Sequence, residues 1–175
     1  MPSRAAALAG IAAPLSFISA WAVAGARAED YSPVQDFISD LARVGAPTRP
    51  LMTAGFVGFG VLAPAWARTL PTRALRTSVT VAGAGTLAVA ALPLGASWGD
   101  GPHAAAAAVS YVAMAATPVL GAQVLGGRLA RATGVASGLM LAGSLLGHYD
   151  GLLQRAGLGV VDAWIAATAL RQLRR

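Results

Sequence analysis

Long apolar stretches alternate with short polar intervals along almost the entire chain. The stretches are Ala5–Ala28, Leu51–Ala67, Thr77–Leu94, His103–Leu125, Ala132–Gly147 and Leu152–Leu170. A membrane-spanning helix needs roughly 20 mostly apolar residues, with a range of about 17 to 25. Each stretch meets this length or, like the fifth, nearly does. The pattern predicts an all-α integral membrane bundle of six transmembrane helices, built as a single domain over residues 1–175. Pro14, Pro64, Pro93 and Pro118 fall in these stretches. Neighbouring helices can accommodate them, but each should kink or end its helix.

The polar intervals set the orientation. Arg4, Arg68, Arg73, Arg76, Arg128, Arg131, Arg171, Arg174 and Arg175 lie at alternate ends of the spans, with no acidic residue beside them. The other ends carry Glu29, Asp30, Asp36, Asp40, Asp100 and Asp150, with Arg27, Arg43 and Arg49. The positive-inside rule makes the first set cytoplasmic, so both termini are expected inside a plasma (inner) membrane. Arg4, the following apolar run and the small residues Ala24–Ala28 also have the outline of a cleaved signal peptide. The run is longer than a usual signal core and is therefore read as a span.

Composition supports a lipid environment: 56% of the residues are hydrophobic and only 11% charged, against about a quarter charged in soluble domains. Cysteine is absent, which removes disulfides, thiolate metal sites and cysteine nucleophiles. A net charge of +6 could attract nucleic acid, but the arginines sit at helix ends and form no patch, so no nucleic-acid partner is expected.

The longest outer interval, from Glu29 to Pro50, has its own pattern. Ser32, Pro33 and Gln35 resemble a capped helix start. A short amphipathic helix through about Arg43 should follow, with Val34, Phe37, Ile38 and Leu41 on one side and Asp36, Ser39, Asp40 and Arg43 on the other. It would lie on the membrane surface with solvated carboxylates, or cover the bundle and aim Asp36 or Asp40 inward. His103 and His148 are expected at this same membrane level, each within three residues of an aspartate. They fit interfacial anchors, an acid/base cluster or, more weakly, a metal site. Trp98, Tyr149 and Tyr31 add aromatic groups there. In the last span Gln154, Arg155 and Asp162 interrupt an apolar run, and charges inside a span usually face the bundle interior or a wet cavity. Arg155 can snorkel outward, whereas Asp162 sits near mid-span.

These residues carry a family resemblance. The strings Asp30–Leu41 and Pro47–Phe59, His103 at the head of the fourth span, and Gly151–Arg155 before a tryptophan-bearing last span resemble a bacterial membrane family labelled domain of unknown function 998. Ser97–Pro102 is a variant of that family's proline-and-aspartate stretch. The resemblance covers nearly the whole chain and implies a six-span bundle; it transfers no catalytic residue.

Three functions fit. The first is a membrane enzyme doing acid/base chemistry on a lipid-like or isoprenoid substrate. Asp36, Asp40, His103, His148 and Asp162 would be its catalytic candidates, and Tyr31, Trp98, Tyr149, Gln154 and Arg155 its substrate-binding ones. The second is a lipid-binding or accessory subunit that docks a partner protein or a second copy. The third is a small proton-coupled transporter using Asp162 and Arg155, although no inverted repeat is evident. No nucleotide loop, serine elbow or zinc-protease helix is present, and no cofactor or metal is expected.

Overall fold

The computed structural model describes residues 3–174, and among them six α-helices form and no strand. They are α1 (Arg4–Arg27), α2 (Arg49–Ala67), α3 (Arg73–Ala91), α4 (Gly101–Gly121), α5 (Gly127–Gly143) and α6 (Asp150–Leu173). Helices α1–α3 and the stretch Gly101–Gly143 are long and apolar enough to cross a membrane. The run in α6 is interrupted by Gln154, Arg155 and Asp162.

Local chemistry sets the helix ends. Ser3 and Thr72 accept hydrogen bonds from Ala6 and Leu75 backbone N–H groups at 3.2 and 3.3 Å, the usual N-cap arrangement. Pro50 and Pro102 occupy the first turns of α2 and α4, where a missing N–H costs nothing. Helix α3 stops at Ala91, because a residue preceding proline avoids helical backbone and Pro93 follows Leu92. It starts at Arg73, ahead of the apolar run that begins at Thr77, since its capped first turn is polar.

Successive helices run antiparallel, through short connections everywhere except the long segment 28–48 between α1 and α2. Each packs on its neighbours in sequence, and α6 closes the ring against α1. Small residues permit the close approach, as expected where lipid supplies no hydrophobic drive between helices. A Cβ on Gly83 would meet the Pro64 ring at 2.6 Å, and one on Gly85 would meet the Ser110 backbone at 3.0 Å. Hydroxyl pairs knit α3 to α4: Ser78 with Thr117 at 2.9 Å and Thr86 with Ser110 at 3.1 Å. Inside the ring Phe17 meets Phe56 and Phe59 at centroid distances of 5.9 and 6.0 Å. Val112, Leu129, Leu139 and Leu146 point outward with more than two-thirds of their surface exposed, as lipid-facing residues would.

The alternation gathers the segments 28–48, 92–100 and 144–149 at one end of the ring, called here the long-loop end. The amphipathic helix expected from Ser32 to Arg43 is replaced there by one turn at residues 33–35 and a five-residue 3-10 helix, Ile38–Ala42. The start does form: Ser32 Oγ accepts from Gln35 N at 3.3 Å, and Ser32 O from Asp36 N at 2.8 Å. It cannot propagate, because Ile38 N donates to Gln154 Oε1 at 2.7 Å instead of to the preceding turn. The tighter helical period then buries Ile38, Ser39, Leu41 and Ala42 together and leaves Val34 exposed.

Candidate functional site: a cavity beneath a strapped loop

The first two turns of α6 hold the long loop down. The backbone N–H groups of Gly151 and Leu152, which a helix N-terminus leaves without internal partners, donate to Gln35 O at 3.3 Å and Val34 O at 3.1 Å. Arg155 Nη1 donates to the carbonyls of Pro33, Asp36 and Gly151 at 2.9, 3.0 and 2.9 Å. Its Nη2 donates to the Tyr31 hydroxyl, which in turn donates to Phe37 O at 3.1 Å. The guanidinium also lies 5.4 Å from the ring centres of Trp21 and Tyr31, within cation–π range. Burial raises the pKa of Tyr31, opposed by the charge and hydrogen bond of Arg155, so the phenol stays neutral. Gly151 is required at the seam: a Cβ there would collide with Asp36 O and lie 2.8 Å from Pro33 O.

The sequence candidates divide on this frame. Asp36 Oδ2 accepts from Ser32 N at 2.7 Å. Asp40 accepts from Phe37 N at 3.1 Å and pairs with Arg43 at 2.8 Å. That hydrogen bond raises the pKa of Arg43 further. Both carboxylates thus brace the loop. Arg43 also approaches Asp100 at 3.7 Å, while Val44 N donates to Leu94 O at 2.9 Å, so the second loop docks on the first. His103 is buried, with Nδ1 2.8 Å from Leu92 O and Nε2 without a partner among the described residues. His148, Trp98 and Tyr149 are exposed. The two histidines are therefore held in different surroundings. No cluster of three or more His, Cys, Asp or Glu suited to a metal occurs among the described residues.

Asp162 stands apart. It is fully buried in α6, and neither carboxylate oxygen has a hydrogen-bond partner among the described residues.

Directly under the strap lies a cavity. Ile38 and Ser39 form its roof and Gln154 its rim; Phe17, Phe56, Phe59, Met114 and Leu158 line it from four helices. Thr86, Ser110 and Tyr111 contribute hydroxyls. Its free volume is about 30 Å³, so a bound chain has to part the surrounding side chains. Gln154 spans roof and wall: its Oε1 accepts from Ile38 N at 2.7 Å, and its Nε2 donates to the Tyr111 hydroxyl. Of the ten sequence candidates, Gln154 alone is among the lining residues. Sequence reasoning missed Tyr111, Ser110, Thr86 and Ser39. Hydroxyl side chains inside otherwise apolar spans were the available signal.

Fold and site together define a helical bundle with several apolar helices long enough to cross a membrane, which points to an integral membrane protein with an internal apolar cavity. A family model, described as protein of unknown function (DUF998), matches residues 11–171. The chain belongs to that family, in agreement with the resemblance in its loop and last helix. No curated protein and no solved structure matches it.

Proposed function

We propose that this protein is a six-span membrane protein of the plasma (inner) membrane, with both termini cytoplasmic. In this reading it binds a lipid-like or isoprenoid molecule in its central cavity. The observation that carries the reading is the apolar slot itself, walled by Phe17, Phe56, Phe59, Met114 and Leu158 and roofed by a loop strapped to α6. Burial of apolar ligand surface supplies roughly 25 cal/mol per Å², so a hydrocarbon chain gains most in such a slot. The arginine asymmetry of the connections supports the orientation.

Binding is favoured over proton transfer by the same geometry. The polar side chains on the cavity are Ser39, Thr86, Ser110, Tyr111 and Gln154, all uncharged. Asp36 and Asp40 are engaged in the loop, and His103, His148 and Asp162 do not line the cavity.

The test is mass spectrometry of small molecules that co-purify in gentle detergent, comparing the natural chain with Ala107→Trp. Ala107 lines the cavity, and an indole there fills it. One lipid or isoprenoid species should be retained by the natural chain and lost from the folded variant. Identical bulk lipid from both would refute the binding reading. Orientation is read from cysteines introduced one at a time at Ser97 and Arg128 and treated with an impermeant thiol reagent on intact cells. Labelling at Ser97 alone is expected; labelling at Arg128 alone would reverse the topology.

A further inference from the structure

The hydrogen bonds at the roof of the cavity have a direction, and that direction selects a ligand. A backbone N–H can only donate, so Ile38 N obliges the Gln154 atom at 2.7 Å to be the oxygen, Oε1. The amide nitrogen must then face Tyr111, and because it can only donate, the Tyr111 hydroxyl accepts. The phenolic hydrogen remains, and no acceptor takes it among the described residues. The neighbouring hydroxyls differ: Thr86 and Ser110 lie 2.9 and 3.1 Å from Ala82 O and 3.1 Å from each other, so both of their hydrogens have an acceptor. Ser39, in the roof, adds a hydroxyl able to donate or accept. The cavity therefore presents a donor at its roof end, and no charged side chain lines its wall.

Resting on the binding reading above, we infer that the ligand is an uncharged molecule with an apolar body and a hydrogen-bond-accepting oxygen, such as an ester, ketone or quinone, which receives the Tyr111 hydroxyl hydrogen. A charged head is disfavoured because ionic groups lose far more than neutral ones on leaving water without a counter-charge. The orientation follows from helix register. Met114 is three residues beyond Tyr111 on α4 and Leu158 four beyond Gln154 on α6, about 4.5 and 6 Å deeper at 1.5 Å per residue. The oxygen thus sits beneath Ile38 and Ser39, and the body runs down between Phe17, Phe59, Met114 and Leu158.

Three photoreactive diazirine probes of equal chain length test this: a methyl ester, a plain alkane and a free carboxylate. Each is crosslinked to the whole protein in detergent, and the labelled residues are mapped by peptide mass spectrometry. The ester is expected to label the lining residues of α1, α4 and α6 about tenfold more than the alkane, one hydrogen bond being worth on the order of a factor of ten. The carboxylate should label no better than the alkane. Tyr111→Phe keeps the ring and should bring the ester down to the level of the alkane. Gln154→Glu keeps the phenol but offers it an acceptor, which should consume its hydrogen and abolish the preference too, so either folded variant serves. Equal ester and alkane labelling in the natural chain, survival of the preference in both variants, or preferred carboxylate labelling would overturn the inference while leaving the cavity reading in place. Absence of any probe from the lining residues would sink both.

Discussion

The start of α6 and the turn carrying Asp162 belong to one helix, yet they treat polar groups in opposite ways. Gly151, Leu152, Gln154 and Arg155 are all engaged with the long loop through backbone or side-chain hydrogen bonds. Asp162, seven residues beyond Arg155 and so about 10 Å along the axis, is completely buried with no partner for either oxygen among the described residues. The first region turns costly polar groups into a specific attachment, because its backbone N–H groups and both terminal nitrogens of Arg155 meet oxygen acceptors, with only Arg155 Nε left unpartnered among the described residues. The second places a polar group where nothing compensates its burial. Polarity inside an apolar helix therefore has no fixed meaning; the partner decides whether it organises the structure or strains it.

Removing Arg155 should give the largest effect. Arg155→Ala leaves the carbonyls of Pro33 and Asp36 without their donor and frees the loop. Hydrogen bonds from charged groups contribute about 1.5–3 kcal/mol, so a loss of about 3 kcal/mol is expected in unfolding titrations with denaturing detergent. Arg155→Lys should recover only part of it, since a single ammonium cannot reproduce the guanidinium fork. Full recovery by lysine would mean that charge alone, and not the multiple contacts, holds the strap.

Gly151→Ala attacks the same seam from the backbone side. The added methyl has no room beside Asp36 O and Pro33 O, and overpacking of this kind costs typically 1–3 kcal/mol. A loss of about 2 kcal/mol is expected, together with faster protease cleavage in segment 28–48. Unchanged cleavage would show that the loop is held by other contacts.

Asp162→Asn should have the smallest effect, within about 1 kcal/mol in either direction, because no hydrogen bond is broken and one buried polar group replaces another of nearly the same size. Asp162→Leu should be neutral or stabilising on the same scale. A destabilisation as large as that of Arg155→Ala would erase the contrast between the two regions and require a partner for Asp162.

Much of this organisation was legible in the chain, and the illegible part has a physical cause. The helices announce themselves as apolar runs, and Pro93 as a residue that kinks or ends one, whereas the caps Ser3 and Thr72 lie outside those runs and emerged only in the structure. Gln154 and Arg155 stand out as polar residues in an apolar run, but that Arg155 meets the carbonyls of Pro33 and Asp36 was not readable from the chain. The Ser32 cap was visible, but the fate of the segment was not. Whether it continued as a helix depended on Ile38 N finding Gln154 Oε1, 116 residues away in sequence. Tyr111, Thr86 and Ser110 drew no attention, because a hydroxyl in an apolar span looks the same whether it faces lipid, a neighbouring helix or a cavity.

By itself the sequence determined an all-helical apolar bundle, the approximate extent of each helix and the gathering of acidic residues in alternate connections. These follow from solvation and backbone geometry, which act residue by residue. Only the tertiary structure decided the closed ring, the strap of the long loop on α6, the cavity below it and the isolation of Asp162. Each of these depends on which groups far apart in the chain come within about 3 Å, the range over which a hydrogen bond either forms or does not.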